Sequence, residues 1–180
     1  MDHEIRQRYG TLRQGYPPGE PVTVLQIGDE QTALATGAGD RADAVLVLAI
    51  GAKRTAADFF KHTPPTPDEL ETAIMVVEDE VNRARKMVAG HATLLTTDAT
   101  IRDIALIAGV PAQGGMVLPV EAVERVFDLL AAFSLGRPAS SAGIPADPAF
   151  AATLLILREL MHHLQFASIC VVSGATKSPS

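Results

Sequence analysis

Apolar positions recur along the chain with two periods. VTVLQIG (22–28), QTALATG (31–37) and DAVLVLAIG (43–51) are short aliphatic runs separated by Gly and Asp, a pattern that predicts three strands in a meander. Gly28-Asp29-Glu30 is tight enough for a hairpin, and Gly37-Ala38-Gly39-Asp40 makes a looser turn. A short helix is expected over 55–61. The prolines of HTPPTP (62–67) then favour an extended link. The next helix carries its own start signal: Thr66 can cap, Pro67 suits the first helical position, and Glu69 completes a capping box. Leu70, Ile74, Val77, Val81, Ala84 and Val88 follow at three-to-four spacing and form one buried stripe.

Further along, ATLLTTD (92–98) predicts a fourth strand, followed by a helix over 99–108 that Gly109 and Pro111 end. A Gln113-Gly114-Gly115 loop leads to a helix over 119–133. A long helix over 148–164 and a fifth strand, SICVVSG (168–174), close the pattern. Residues 1–20 are polar, mixed in charge and end in Tyr-Pro-Pro-Gly-Glu, so they read as an appendage. The domain is expected over 21–174 and a frayed tail over 175–180. The order β-β-β-α-β-α-β implies an α/β domain with a mixed five-stranded sheet and helices on both faces.

Composition narrows the function classes. With 180 residues, 47% of them hydrophobic and only 20% charged, the chain can bury one core and is too apolar to be disordered. Aromatic residues make up 4% with no Trp, and the net charge is −6, which argues against both base-stacking platforms and a phosphate-backbone partner. No nucleic-acid partner is expected. No apolar run approaches the ~20 residues that span a bilayer, so no membrane partner is expected and the cytoplasm is the expected location. Cys170, the lone cysteine, sits among apolar neighbours that suit an inert thiol.

Chemistry-bearing motifs are sparse. HExxH, paired CxxC, GxSxG, Walker A and GxGxxG are all missing, and adjacent His162 and His163 point about 100° apart on a helix, so no metal site is expected. Two strand ends remain, because ligands of α/β sheets gather where loops leave the strands. At the first, Gly28, Asp29 and Thr32 offer backbone amides and a hydroxyl to an anion, although Asp29 and Glu30 repel one. At the second, Thr97, Asp98 and Thr100 face a helix N-terminus, where Thr97 or Asp98 also suits a plain N-cap.

Three segments carry a family resemblance: LAIGAKRTAADFFKHTPPTPDELETAI (48–74) with Gly51, Phe60 and Pro64-Pro65; LLTTDATIRDIALIAG (94–109) with Thr100; and FSLGRPASSAGIP (133–145) with Arg137 and Gly143. In this order they resemble the C-terminal lobe of the exopolyphosphatase / guanosine pentaphosphate phosphatase (Ppx/GppA) family, part of the actin-like ATPase superfamily, over about residues 22–174. The resemblance implies an actin-like, ribonuclease H-like lobe with a phosphate loop after its first strand. Where the family has an Asp and small residues, this chain has Gln26-Ile27-Gly28-Asp29-Glu30-Gln31, and the family's second glycine pair becomes Asp98-Ala99. Its Arg-Ala-Asp before the last helix becomes Pro148-Ala149-Phe150. The family's N-terminal lobe, which supplies the catalytic Glu, has no counterpart in these residues.

The expectation is therefore a stand-alone, non-catalytic lobe that acts by protein binding or self-association, as a homo-oligomer or with a partner lobe, with no catalytic residue and no cofactor. The competing expectation is a phosphohydrolase, or a nucleotide- or polyphosphate-binding protein, whose diverged cleft a second chain completes. Gly28, Asp29, Thr32, Thr97, Asp98 and Thr100 are its candidate contacts, and magnesium enters only in that case.

Overall fold

The computed structural model describes residues 1–88, 91–138 and 143–173. The expected tail over 175–180 lies outside them. Three strands run as a meander, β1 (Val22–Ile27), β2 (Thr32–Gly37) and β3 (Ala44–Leu48), and are followed by α2 (Ala52–Phe59), α3 (Pro67–Asn82), β4 (Thr93–Thr96) and α4 (Ala99–Ile107). Then come β5 (Gly115–Pro119), α5 (Val120–Ser134), α6 (Pro148–His163) and β6 (Ser168–Val172), while α1 (Asp2–Arg13) precedes them all. The sheet has six strands in the order β3-β2-β1-β4-β6-β5. Strands β1, β4 and β6 are parallel; β2, β3 and β5 run antiparallel to their neighbours.

The strand count corrects the expectation of five. Residues 115–119 were expected as loop and helix start, yet Met116 and Leu118 are buried while Gly115, Val117 and Pro119 are exposed, the two-residue period of a strand. The segment pairs Gly115 with Val172 and Pro119 with Ser168 along the sheet edge, where a proline costs no ladder bond.

Alternation splits each strand between two layers. Leu25, Ile27, Leu34, Leu48, Leu94, Ile169 and Val171 face a core built with α2 to α6. Val22, Val24, Ala33, Ala35 and Leu95 face the other way, toward Ile5 and Tyr9. At the centre of the first core, α6 is buried nearly all round, from Phe150 and Ala151 to Leu160 and Met161, as befits a helix walled in by others. The capping box of α3 forms as expected: the Glu69 amide donates to Thr66 Oγ1 at 3.3 Å and the Thr66 amide to Glu69 Oε2 at 3.0 Å. Helix α3 ends earlier than its stripe, because the chain tightens after Asn82 into three-residue turns such as Ala84 N–H to Val81 O, and these still bury Ala84 and Val88.

Residues 1–20 are not an appendage. Helix α1 lies across the second face of the sheet with Ile5 and Tyr9 fully buried. Arg13, 3% exposed, donates to the carbonyls of Glu20, Pro17 and Ala38 at 2.6–2.8 Å and locks the helix end to the β2–β3 turn. The apolar positions Met1, Ile5, Tyr9, Leu12 and Tyr16 recur at helical spacing, but their stripe is narrow and its flanks are charged, so composition hid it.

Candidate functional site

Two loops meet at the carboxyl ends of β1 and β4. The Ile27 amide donates to Asp98 Oδ2 at 3.2 Å, which ties the two strand ends together. Asp98 also caps α4, accepting from the Thr100 amide at 3.2 Å, and its own amide donates to Thr96 Oγ1. Burial raises the Asp98 carboxyl above its ordinary value, against the pull of these hydrogen bonds. Asp98 is thus a clasp between elements.

The β1–β2 turn is docked on the start of α2. The Gly28 carbonyl accepts from the Ala52 amide, and the Asp29 carbonyl accepts from those of Lys53 and Arg54, so backbone carbonyls occupy the first-turn amides that would otherwise attract an anion. This contact also starts α2 at Ala52, three residues before the sequence suggests. Gly51 is needed here: a Cβ on it would lie 2.4 Å from Glu30 C and 2.5 Å from Asp29 O. The exposed Asp29 side chain pairs with Lys53 Nζ at 2.7 Å.

Helix α1 supplies residues that the sequence reading left out. Its Met1 side chain sits against Gly28, where an added Cβ would come within 2.7 Å of Met1 Cε. Glu4 Oε1 accepts from Gln26 Nε2 at 2.7 Å, and Arg8 Nη1 donates to Thr97 Oγ1 at 2.5 Å. The hydrogen bond from Gln26, helped by Arg8, holds the Glu4 carboxyl below its ordinary value. The site where the resemblance puts a metal-side Asp therefore holds a neutral amide engaged with a helix of the same chain.

Of the six expected contact residues, Gly28, Thr97 and Asp98 converge at these strand ends, while Thr100 stands in the first turn of α4. Thr32 opens β2 with its side chain on the helix-layer face alongside Leu34, and its buried hydroxyl has no hydrogen-bond partner. Gln26 Oε1 is a second buried oxygen without one. A groove of about 510 Å³ runs beside α1 past the same strand ends, lined by Glu4, Arg8, Leu12, Thr97, Val172 and Ser173 among others. Cys170 is half-buried on this face, and burial raises its thiol, which disfavours the reactive thiolate. Arg137 and Gly143 flank residues 139–142, which lie outside those described. No helix among the described residues is long and apolar enough to cross a membrane.

No protein-family model and no curated protein matches the chain. Solved structures do. A Ppx/GppA family member of Aquifex aeolicus superposes with a TM-score of 0.75 at 22% identity, covering 95% of this chain and 58% of that one. A second structure of the Aquifex aeolicus enzyme gives 0.74 at 21%, over 92% and 57%. An exopolyphosphatase of Cytophaga hutchinsonii gives 0.63 at 17%, over 94% and 58%. The chain thus spans less than two thirds of the structures it matches. Strand order, layers and these superpositions agree on one conclusion: this chain has the actin-like ATPase fold of Ppx/GppA proteins, over a span the size of their C-terminal lobe.

Proposed function

We propose that this chain is a non-catalytic actin-like lobe that acts by associating with protein, in the first instance with a second copy of itself. The observation that carries this reading is that polar positions at the strand ends are engaged within the chain, with Met1 on Gly28, Glu4 on Gln26 and Arg8 on Thr97. A phosphate at these strand ends would meet Asp29 and Glu30 without the glycine-lined amides that cradle phosphates. Beyond α1 the same sheet face is thinly covered: Val117 is 53% exposed on the β5 edge, beside half-buried Cys170 and Val172. A second copy packed on this edge would bury Val117 and cover the strand's unpaired side.

Two measurements test the reading. Equilibrium sedimentation should show a dimer that Val117→Asp converts to monomer; a strict monomer at high micromolar concentration overturns self-association. Thermal shift with ATP, GTP, pppGpp and polyphosphate, with and without magnesium, should show no stabilisation. The buried oxygens Gln26 Oε1 and Thr32 Oγ1 favour the competing reading, a ligand cleft completed by a second chain. Stabilisation of about 2.7 kcal/mol at a hundredfold excess over Kd would establish that reading and remove ours.

A further inference from the structure

Away from the cleft, α3 and α6 bring three donors together. Glu159 and His163 stand one turn apart on α6 and share a face, and Glu78 reaches them from α3. His163 Nε2 lies 3.2 Å from Glu78 Oε1 and 3.4 Å from Glu159 Oε2, and the three donor atoms all fall within 4.8 Å of one another. Glu159 is 3% exposed. Arg158 Nη1 holds its Oε1 at 2.5 Å, which leaves Oε2 turned toward His163. Arg158 is fixed in its turn by Glu124, at 3.0 Å to both oxygens, and by the Phe127 ring, 4.4 Å from its centroid.

We propose that Glu78, Glu159 and His163 bind one divalent transition-metal ion of the zinc type, with a fourth position left for water, a site beyond anything the proposed function requires. Bonds of about 2.0–2.2 Å in a tetrahedron put neighbouring ligand atoms about 3.3–3.6 Å apart, close to the 3.2 and 3.4 Å on either side of His163. Glu78, whose side chain is 39% exposed, is free to close the third edge. One imidazole and two carboxylates suit zinc better than magnesium or calcium, which take oxygen ligands in larger number. Arg158 is the outer partner that orients a ligating carboxylate, and Glu124 offsets its charge, so two carboxylates remain to neutralise the ion. The ion would pin α3 to α6, the helix at the centre of the core.

The rival arrangement is metal-free, with a protonated His163 pairing to both carboxylates. After chelation and dialysis, the full chain should take up one Zn²⁺ per chain by elemental analysis and, loaded with Co²⁺ instead, show the visible absorption of tetrahedral cobalt. His163→Gln should abolish both signals, and Glu78→Gln should weaken affinity by more than about tenfold, the loss already common for outer partners. His162→Gln, which removes a side chain bonded to Glu124 instead, should leave the stoichiometry unchanged. Folded wild-type chain without stoichiometric metal, or undiminished binding by folded His163→Gln, overturns the site.

Discussion

The two faces of the sheet are built by different means. Among the described residues, one is covered by five helices over a continuous aliphatic core, with α6 enclosed among the others. The opposite face carries α1, held by a short apolar stripe and by polar ties from Glu4, Arg8, Tyr9 and Arg13 to strand ends and turns. The architecture as a whole is shared with the Ppx/GppA structures at 17–22% identity, because hydrophobic volume and period suffice to specify it. The candidate contacts Gly28, Thr97 and Asp98 stand at the strand ends, where Gln26 and Thr97 bond to Glu4 and Arg8 of α1.

Matched truncations give the sharpest test of this contrast. Leu160→Ala in α6 and Ile5→Ala in α1 each remove a fully buried side chain, so each should cost about 2–5 kcal/mol in denaturant unfolding. A negligible cost for Ile5→Ala would return α1 to the role of an appendage. Arg13→Met keeps the stem but strands three carbonyls, and calorimetry should show a loss of about 1.5–3 kcal/mol, typical of hydrogen bonds to a charged group.

Smaller effects separate structural from ligand roles. Thr32→Val exchanges an unpaired buried hydroxyl for a methyl group of nearly the same size, and should raise stability by about 1 kcal/mol. A loss of stability would mean that the hydroxyl has a partner that matters. Glu69 bears on the helix-rich face: burial opposes its ionisation, but hydrogen bonds from His62 and from the Thr66 and Lys61 amides prevail and hold its pKa at about 2, against an ordinary 4.5. A depressed carboxylate stabilises the fold fully above its unfolded pKa. That contribution should fade as pH falls from about 4.5 through about 2, and Glu69→Gln should flatten the stability curve over that window.

The helix-rich face was legible from the chain because its signals are local. The capping box at Thr66 and Glu69 lies within four residues, and the meander, β4, α4 and α6 follow from period and turn residues. The cleft was legible only by halves. Strand-end logic led to Gly28, Thr97 and Asp98, but Arg8 and Glu4 stayed hidden, because an exposed-looking charged helix offers no period strong enough to place it. Likewise, β5 is bounded by Gly115 and Pro119, residues that read as loop, and becomes a strand through its pairing with β6.

The sequence by itself therefore determined the α/β class and the order of most elements, since each depends on residue type and near neighbours. The tertiary structure decided where α1 lies and which carboxylates flank His163. Arg8 meets Thr97 across 89 positions and Glu78 meets His163 across 85. Contacts at such separation cost loop-closure entropy and form only where the whole core has already brought the elements together, so no local pattern records them.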